Sequence, residues 1–155
     1  MSTVIKAMHR GSIITPMTKE PVDIVVITYN RKKYFETFVK FLYLSTDYPF
    51  RLIVVDNGSI DGTRQYIQDL RKEGKVWKFL FTDKNLPMAA AFTAGFELVE
   101  SELFITVADD MVPALGKKPS WLEIFVAKMN QDESVGCINF RAARCVHDKF
   151  VKQYG

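Results

Sequence analysis

Cysteine and histidine are scarce in this chain, with two of each among 155 residues. Cys137 and Cys145 have neither a metal-ligand nor a redox spacing. They suit small, buried or half-buried side chains in a reducing compartment. His9 and His147 lie far apart without a ligand pattern, so both read as ordinary structural residues. No apolar run is long enough to cross a bilayer, and the N-terminus lacks the apolar segment of a signal peptide. A cytoplasmic location is therefore expected, with attachment to a membrane through a partner or a further segment left open. The net charge of +3 is mild and no basic face is clustered, so nucleic acid is not an expected partner. Internal repeats, low-complexity tracts and internal linkers are also missing.

What is present suits one domain with a substantial core: 48% of residues are apolar and 25% charged. Residues 1–20 show no clear period and are broken by Gly11 and Pro16, so they read as a flexible arm with room for one short extended piece. Residues 21–155 form the domain proper. Val22–Thr28 is a β-branched run of the kind found in interior parallel strands. Tyr34, Phe35, Phe38, Val39 and Leu42 then recur at helical spacing. A second buried strand over Arg51–Val55 leads into a loop dense in Asn, Gly, Ser and Asp, and a helix follows that stops near Gly74. Val76–Phe81 is a third strand. Pro87 suits the first turn of an alanine-rich helix running to about Val99, whose Ala91 and Gly95 allow close packing on the sheet. Leu103–Ala108, a helix from Pro119 and Ser120, and a strand over Val135–Phe140 complete the order, while Arg141–Lys152 carries no assignment. Alternating strands and helices predict three α/β/α layers around a mainly parallel sheet.

One stretch carries chemistry. The run Leu103–Ala108 ends in Asp109 and Asp110, with Pro113 soon after. Carboxylates at the end of a buried strand belong at the sheet's carboxyl edge, where open α/β sheets bind ligands. Two adjacent acids repel each other, and a hard divalent cation relieves that while keeping positions for phosphate oxygens. A metal–diphosphate site at Asp109 and Asp110 is one reading. A pair of solvated acids at a strand end is the other, and for this stretch alone it is the simpler one.

The order of motifs adds to this. Val25–Arg31, then Val54–Ser59 with Asp61-Gly62-Thr63, then Asn85 before the alanine-rich helix, then Ala108-Asp109-Asp110, together resemble the family 2 glycosyltransferases of GT-A fold, from about Pro21 to about Phe140. The resemblance implies an enzyme that transfers a sugar from a nucleoside-diphosphate sugar, UDP being the expected nucleotide, with inversion and with Mn²⁺ or Mg²⁺ as cofactor. It implies that Thr28, Tyr29, Arg31, Asp56, Asn85 and Asp109 bind the nucleotide, Asp56 by accepting a hydrogen bond from a uracil-type base. Asp110, with Asp109, would bind the metal, and Asp61-Gly62-Thr63 would shape the loop and cap a helix. The acceptor, whether glycan, lipid or protein, stays unnamed.

Three departures stand beside the likeness. Ala108 takes the place of the first acid of an Asp-x-Asp pattern. Leu86-Pro87-Met88 takes the place of glycines after Asn85. Family members continue into an acceptor-binding half with a catalytic base, whereas here the later aspartates, Asp132 and Asp148, sit in no base motif. The expectation is a donor-binding domain truncated on its C-terminal side. Two alternatives stay open: a nucleotide-sugar-binding module without turnover, and a nucleotidyltransferase. The second would want a Gly-rich, basic phosphate loop, which Thr28-Tyr29-Asn30-Arg31 is not.

Overall fold

The computed structural model describes residues 3–7, 19–111 and 118–140. His9, Pro113, Cys145, His147, Asp148 and the basic stretch from Arg141 lie outside them. Among the described residues ten elements follow one another: β1 (Thr3–Ala7), β2 (Val22–Thr28), α1 (Lys32–Ser45), β3 (Phe50–Asp56), α2 (Thr63–Lys72), β4 (Lys78–Phe81), α3 (Met88–Phe96), β5 (Leu103–Ala108), α4 (Trp121–Gln131) and β6 (Cys137–Phe140). The strand order is β4-β3-β2-β5-β1-β6, with β4, β3, β2 and β5 mutually parallel. β1 runs antiparallel to both β5 and β6.

The short extended piece expected within the N-terminal arm is thus a strand paired along both edges, not a loose segment. Its five residues have no period of their own, so only the two ladders define it. Cys137 also differs from expectation, for it is exposed. It opens β6, an edge strand.

Alternation along the central strands separates two layers of helix. Ile24, Val26, Leu52, Val54, Ile105 and Val107 join the main core with Phe35, Phe38 and Leu42 of α1, Ile67 and Leu70 of α2, and Leu122 and Val126 of α4. The opposite face carries α3. A Cβ built on Gly95 would lie 2.7 Å from Val25 Cγ1 and 3.1 Å from Val55 Cγ2, so only glycine lets this helix rest so close to the sheet. The expected tight packing of α3 is observed. The third strand begins two residues later than expected. Lys75 and Val76 still donate to Leu70 O while the chain leaves α2 through Gly74, which has φ +74°.

Chain direction creates a particular place. From β2 the fold steps outward through β3 to β4, then returns across the other face through α3 to β5, beside β2. The order reverses between β2 and β5, and ligands of open α/β sheets bind in the crevice at such a switch point.

Candidate functional site

In-register pairing brings the candidate residues level. Thr28 pairs with Asp56, and Ile27 pairs with Ala108, so Asp109 emerges beside Thr28 at the carboxyl edge. A cleft of about 590 Å³ opens there, and Thr28, Tyr29, Arg31, Asn85, Asp109 and Asp110 all line it. Asp56 does not. It sits one residue behind Asn57 on the wall, fully buried, with Oδ1 accepting hydrogen bonds from Ser59 N at 3.0 Å and Arg64 Nε at 2.9 Å. Its Oδ2 is buried and accepts nothing from the described residues.

Asp109 is buried and Asp110 half-exposed. Burial pushes the Asp109 carboxyl up to about 6. The nearby Thr28 hydroxyl and the Arg31 charge oppose this, and the negative charge of Asp110 adds to it. Thr28 Oγ1 does not reach hydrogen-bond geometry, so Asp109 Oδ2 also stays buried without a donor among the described residues. Arg31 Nη1 lies 3.7 Å from Asp109 Oδ1 and 3.4 Å from Asp110 Oδ2. A buried polar atom in a native fold is nearly always satisfied, so the open Oδ2 of Asp109, whose residue lines the cleft, calls for a ligand, an ion or water as its partner.

The loops that carry these groups are cross-braced. Asn30 takes a left-handed conformation with φ 49°, which asparagine tolerates. Its Oδ1 accepts from Ile60 N at 2.8 Å, and its N–H donates to Ser59 Oγ at 2.9 Å. Asp61 accepts from Thr63 N at 3.1 Å and, across the loop, from Lys32 N at the start of α1 at 2.9 Å. It lies outside the cleft lining and acts as a brace.

Asn57, which reads in sequence only as part of a turn, is a junction. Its Nδ2 donates to Asn85 Oδ1 at 2.8 Å and Leu86 O at 2.9 Å, while its Oδ1 accepts from Leu86 N at 2.9 Å. It thereby pins the Asn85–Leu86 turn to the tip of β3. Neither this nor the Arg64–Asp56 pair has a local signature, since Asn57 reaches 28 residues along the chain and Arg64 looks like any solvated helix start. Asp132 accepts from Ser134 N and Oγ at 2.9 and 2.6 Å, so it closes the turn after α4.

Residues 23–154 match the model of glycosyl transferase family 2. The chain belongs to this family. Among curated relatives, an uncharacterized glycosyltransferase of Haemophilus influenzae is 24% identical over 115 residues, covering 74% of this chain and 34% of that protein. The putative glycosyltransferase CsbB of Bacillus subtilis is 30% identical over 100 residues, 64% of this chain and 28% of its own length. Hyaluronan synthase of Pasteurella multocida is 26% identical over 77% of this chain and 12% of its own. The chain thus spans about a third or less of the length of these relatives.

Solved structures share the fold. S. aureus TarS 1-349 superposes with a TM-score of 0.61 at 23% identity, over 74% of this chain and 33% of its own. Its complex with UDP-GlcNAc gives a TM-score of 0.59 at 23% identity, over 74% of this chain and 32% of that one. The mannosyltransferase PcManGT of Pyrobaculum calidifontis, in complex with GDP-Man and Mn²⁺, gives 0.54 at 22% identity, over 59% of this chain and 28% of its own. The sheet with flanking helices is therefore a GT-A arrangement.

Proposed function

We propose that this chain is the donor-binding part of a glycosyltransferase that uses a UDP-sugar. The observation carrying the proposal is the shared cleft of Asp109, Asp110, Thr28, Tyr29, Arg31 and Asn85 at the switch point. The TarS complexes with UDP-GlcNAc and UDP make UDP the nucleotide to try first. For a uracil-type base to donate its ring N–H to Asp56 Oδ2, which accepts from none of the described residues, the Asn57 wall would have to open, since Asp56 is fully buried outside the cleft lining. Arg31 and the exposed Tyr29 would face the ribose and diphosphate.

The donor set fits a divalent cation. No group of three or more ligating side chains exists among the described residues. Mg²⁺-like ions need only one or two carboxylates when substrate phosphates and water complete the shell. Asp109 and Asp110 are two such carboxylates, and the buried Oδ2 of Asp109 lacks a donor among the described residues. Once bound, the ion supplies positive charge against the departing diphosphate. The reaction would be an inverting displacement at the anomeric carbon, with a base taking the proton of the acceptor hydroxyl.

Calorimetric titration of UDP with and without Mn²⁺ tests the reading. UDP should bind in a Mn²⁺-dependent manner, and Asp110→Ala should abolish that dependence with the melting temperature kept. Unchanged affinity in the variant would remove Asp110 from the metal site. A binding module without turnover is the second reading, favoured because Asp132 is occupied with Ser134. UDP uptake without release of sugar from the donor would select it.

A further inference from the structure

The backbone places Arg31 with care. Asn30 turns the chain in its left-handed conformation, and Lys32 is held by Asp61, so Arg31 is fixed at both neighbours. Its half-exposed guanidinium then reaches across the mouth of the cleft, 5.9 Å above the Tyr34 ring, to the acids that follow β5. One nitrogen, Nη1, faces Asp110 Oδ2 at 3.4 Å and Asp109 Oδ1 at 3.7 Å. These distances are longer than a bidentate charge-assisted pair, which closes to about 2.7–2.9 Å. The guanidinium therefore neutralises the pair without locking onto either acid. By contrast, Arg51 grips Asp23 at 2.6 and 3.0 Å through two nitrogens.

We propose that Arg31 is a resident counter-ion: its guanidinium and a divalent cation compete for the Asp109–Asp110 pair, and the donor's diphosphate takes the guanidinium over when the cation arrives. This rests on the metal–diphosphate reading above and adds its regulation. A cation held by both carboxylates would lie near Nη1, and the two positive charges would repel each other. The guanidinium suits the exchange, because its planar fork of donors matches phosphate oxygens. Metal alone then binds weakly, and metal and UDP each strengthen the other by the same factor.

The test is Mn²⁺ binding to the 155-residue chain, followed by electron paramagnetic resonance of the free ion, first without nucleotide and then with saturating UDP. Arg31→Gln should bind Mn²⁺ about two- to fivefold more tightly than the native chain without UDP, the range that an exposed ion pair contributes. With UDP the gain should vanish or reverse. Arg31→Lys keeps the charge and, without UDP, should bind Mn²⁺ as the native chain does. Equal or weaker Mn²⁺ binding by Arg31→Gln without UDP would overturn the proposal. So would a gain that persists with UDP, or one as large in Arg31→Lys. If the native chain binds no Mn²⁺ under either condition, the metal reading itself fails. If it binds and Arg31→Gln gains nothing, only the counter-ion role fails. Circular dichroism melts of each variant confirm the fold.

Discussion

At the amino-terminal end of β2, Asp23 is 0% exposed and well supplied with donors: Arg51 reaches both oxygens, and Glu100 N and Ser101 N add bonds of 2.7 and 2.9 Å to Oδ2. At the other end of the same sheet, Asp56 at 0% and Asp109 at 4% exposure each keep one oxygen without a donor among the described residues. The residue type and the degree of burial are the same, but the environments differ. Burial by itself would raise the Asp23 carboxyl, yet the Arg51 bond and the two N–H groups hold it below the ordinary value. Burial does raise Asp109, because Thr28 and Arg31 only partly compensate. A buried acid that supports the fold brings its own donors. One that waits for a ligand holds an acceptor open and costs the fold stability.

The largest effect tests the satisfied end. Asp23→Ala leaves Arg51, Glu100 N and Ser101 N without their acceptor, and removing one partner of a buried pair costs about 3–5 kcal/mol. Urea unfolding should show that loss, while the protein that remains folded keeps native UDP affinity. A loss under about 1 kcal/mol would remove the structural role.

The next test compares the pH response of the two ends. Asp109 has a folded value of about 6 against an ordinary 3.8, so between those limits the folded chain holds more protons than the unfolded one. Stability therefore falls as pH rises through that window, by on the order of 3 kcal/mol from this group, and stays low above it. The lowered Asp23 acts with the opposite sign. Its contribution is present above 3.8 and is lost as pH falls through its folded value. With EDTA present, unfolding free energies from pH 3 to 7.5 should show that Asp109→Asn gains on the native chain as pH rises through the window. Parallel profiles would mean that Asp109 is solvated in solution.

How these acids would behave was only partly legible in the chain. Val22–Thr28 and Leu103–Ala108 announce buried strands by composition alone, and their order with the intervening helices sufficed to place Asp109 at a sheet edge. Ala91 and Gly95 announced a helix lying close to the sheet. Nothing local distinguishes Asp23 from Asp109, since each adjoins a β-branched strand. The distinction is made by Arg51, 28 residues away, and by the turn at Glu100 and Ser101, 77 residues away. The same holds for Asn57, whose partners come from the Asn85 turn, and for Asp56, whose expected place on the cleft wall is taken by Asn57. Thr3–Ala7 is a strand only because β5 and β6 pair with it.

A backbone test sharpens the comparison at the ligand end. Gly58 has φ +90°, and a Cβ there would lie 2.8 Å from Lys84 C and 3.0 Å from Asn85 N. Gly58→Ala therefore pushes the Asn85 turn off the tip of β3, at about 1–3 kcal/mol of overpacking plus the strain of the positive φ. Stability and UDP affinity should fall together, since Asn85 lines the cleft. Thermal melts with UDP titrations check this, and retained affinity would detach the Asn85 turn from the nucleotide site.

The smallest expected effect separates position from satisfaction. Asp61 belongs to the same carboxyl edge as Asp56 and Asp109, so if location made these acids functional it should matter to ligand as they do. Although it is exposed, its carboxylate is supplied with donors as that of Asp23 is. Oδ1 accepts from Thr63 N and the Thr63 hydroxyl, and Oδ2 from Lys32 N, so two helix starts share one carboxylate. Those hydrogen bonds hold its carboxyl below the ordinary value, although burial works against them. Asp61→Ala should therefore behave as the loss of a helix cap, lowering stability by about 1 kcal/mol. UDP affinity in saturating Mn²⁺ should stay within about fivefold of native, about 1 kcal/mol, the most that looser placement of the exposed Arg31 would cost. Should affinity collapse while stability holds, the filled or open state of a carboxylate would no longer predict its task, and the contrast between Asp23 and Asp109 would reduce to where each lies along the strand.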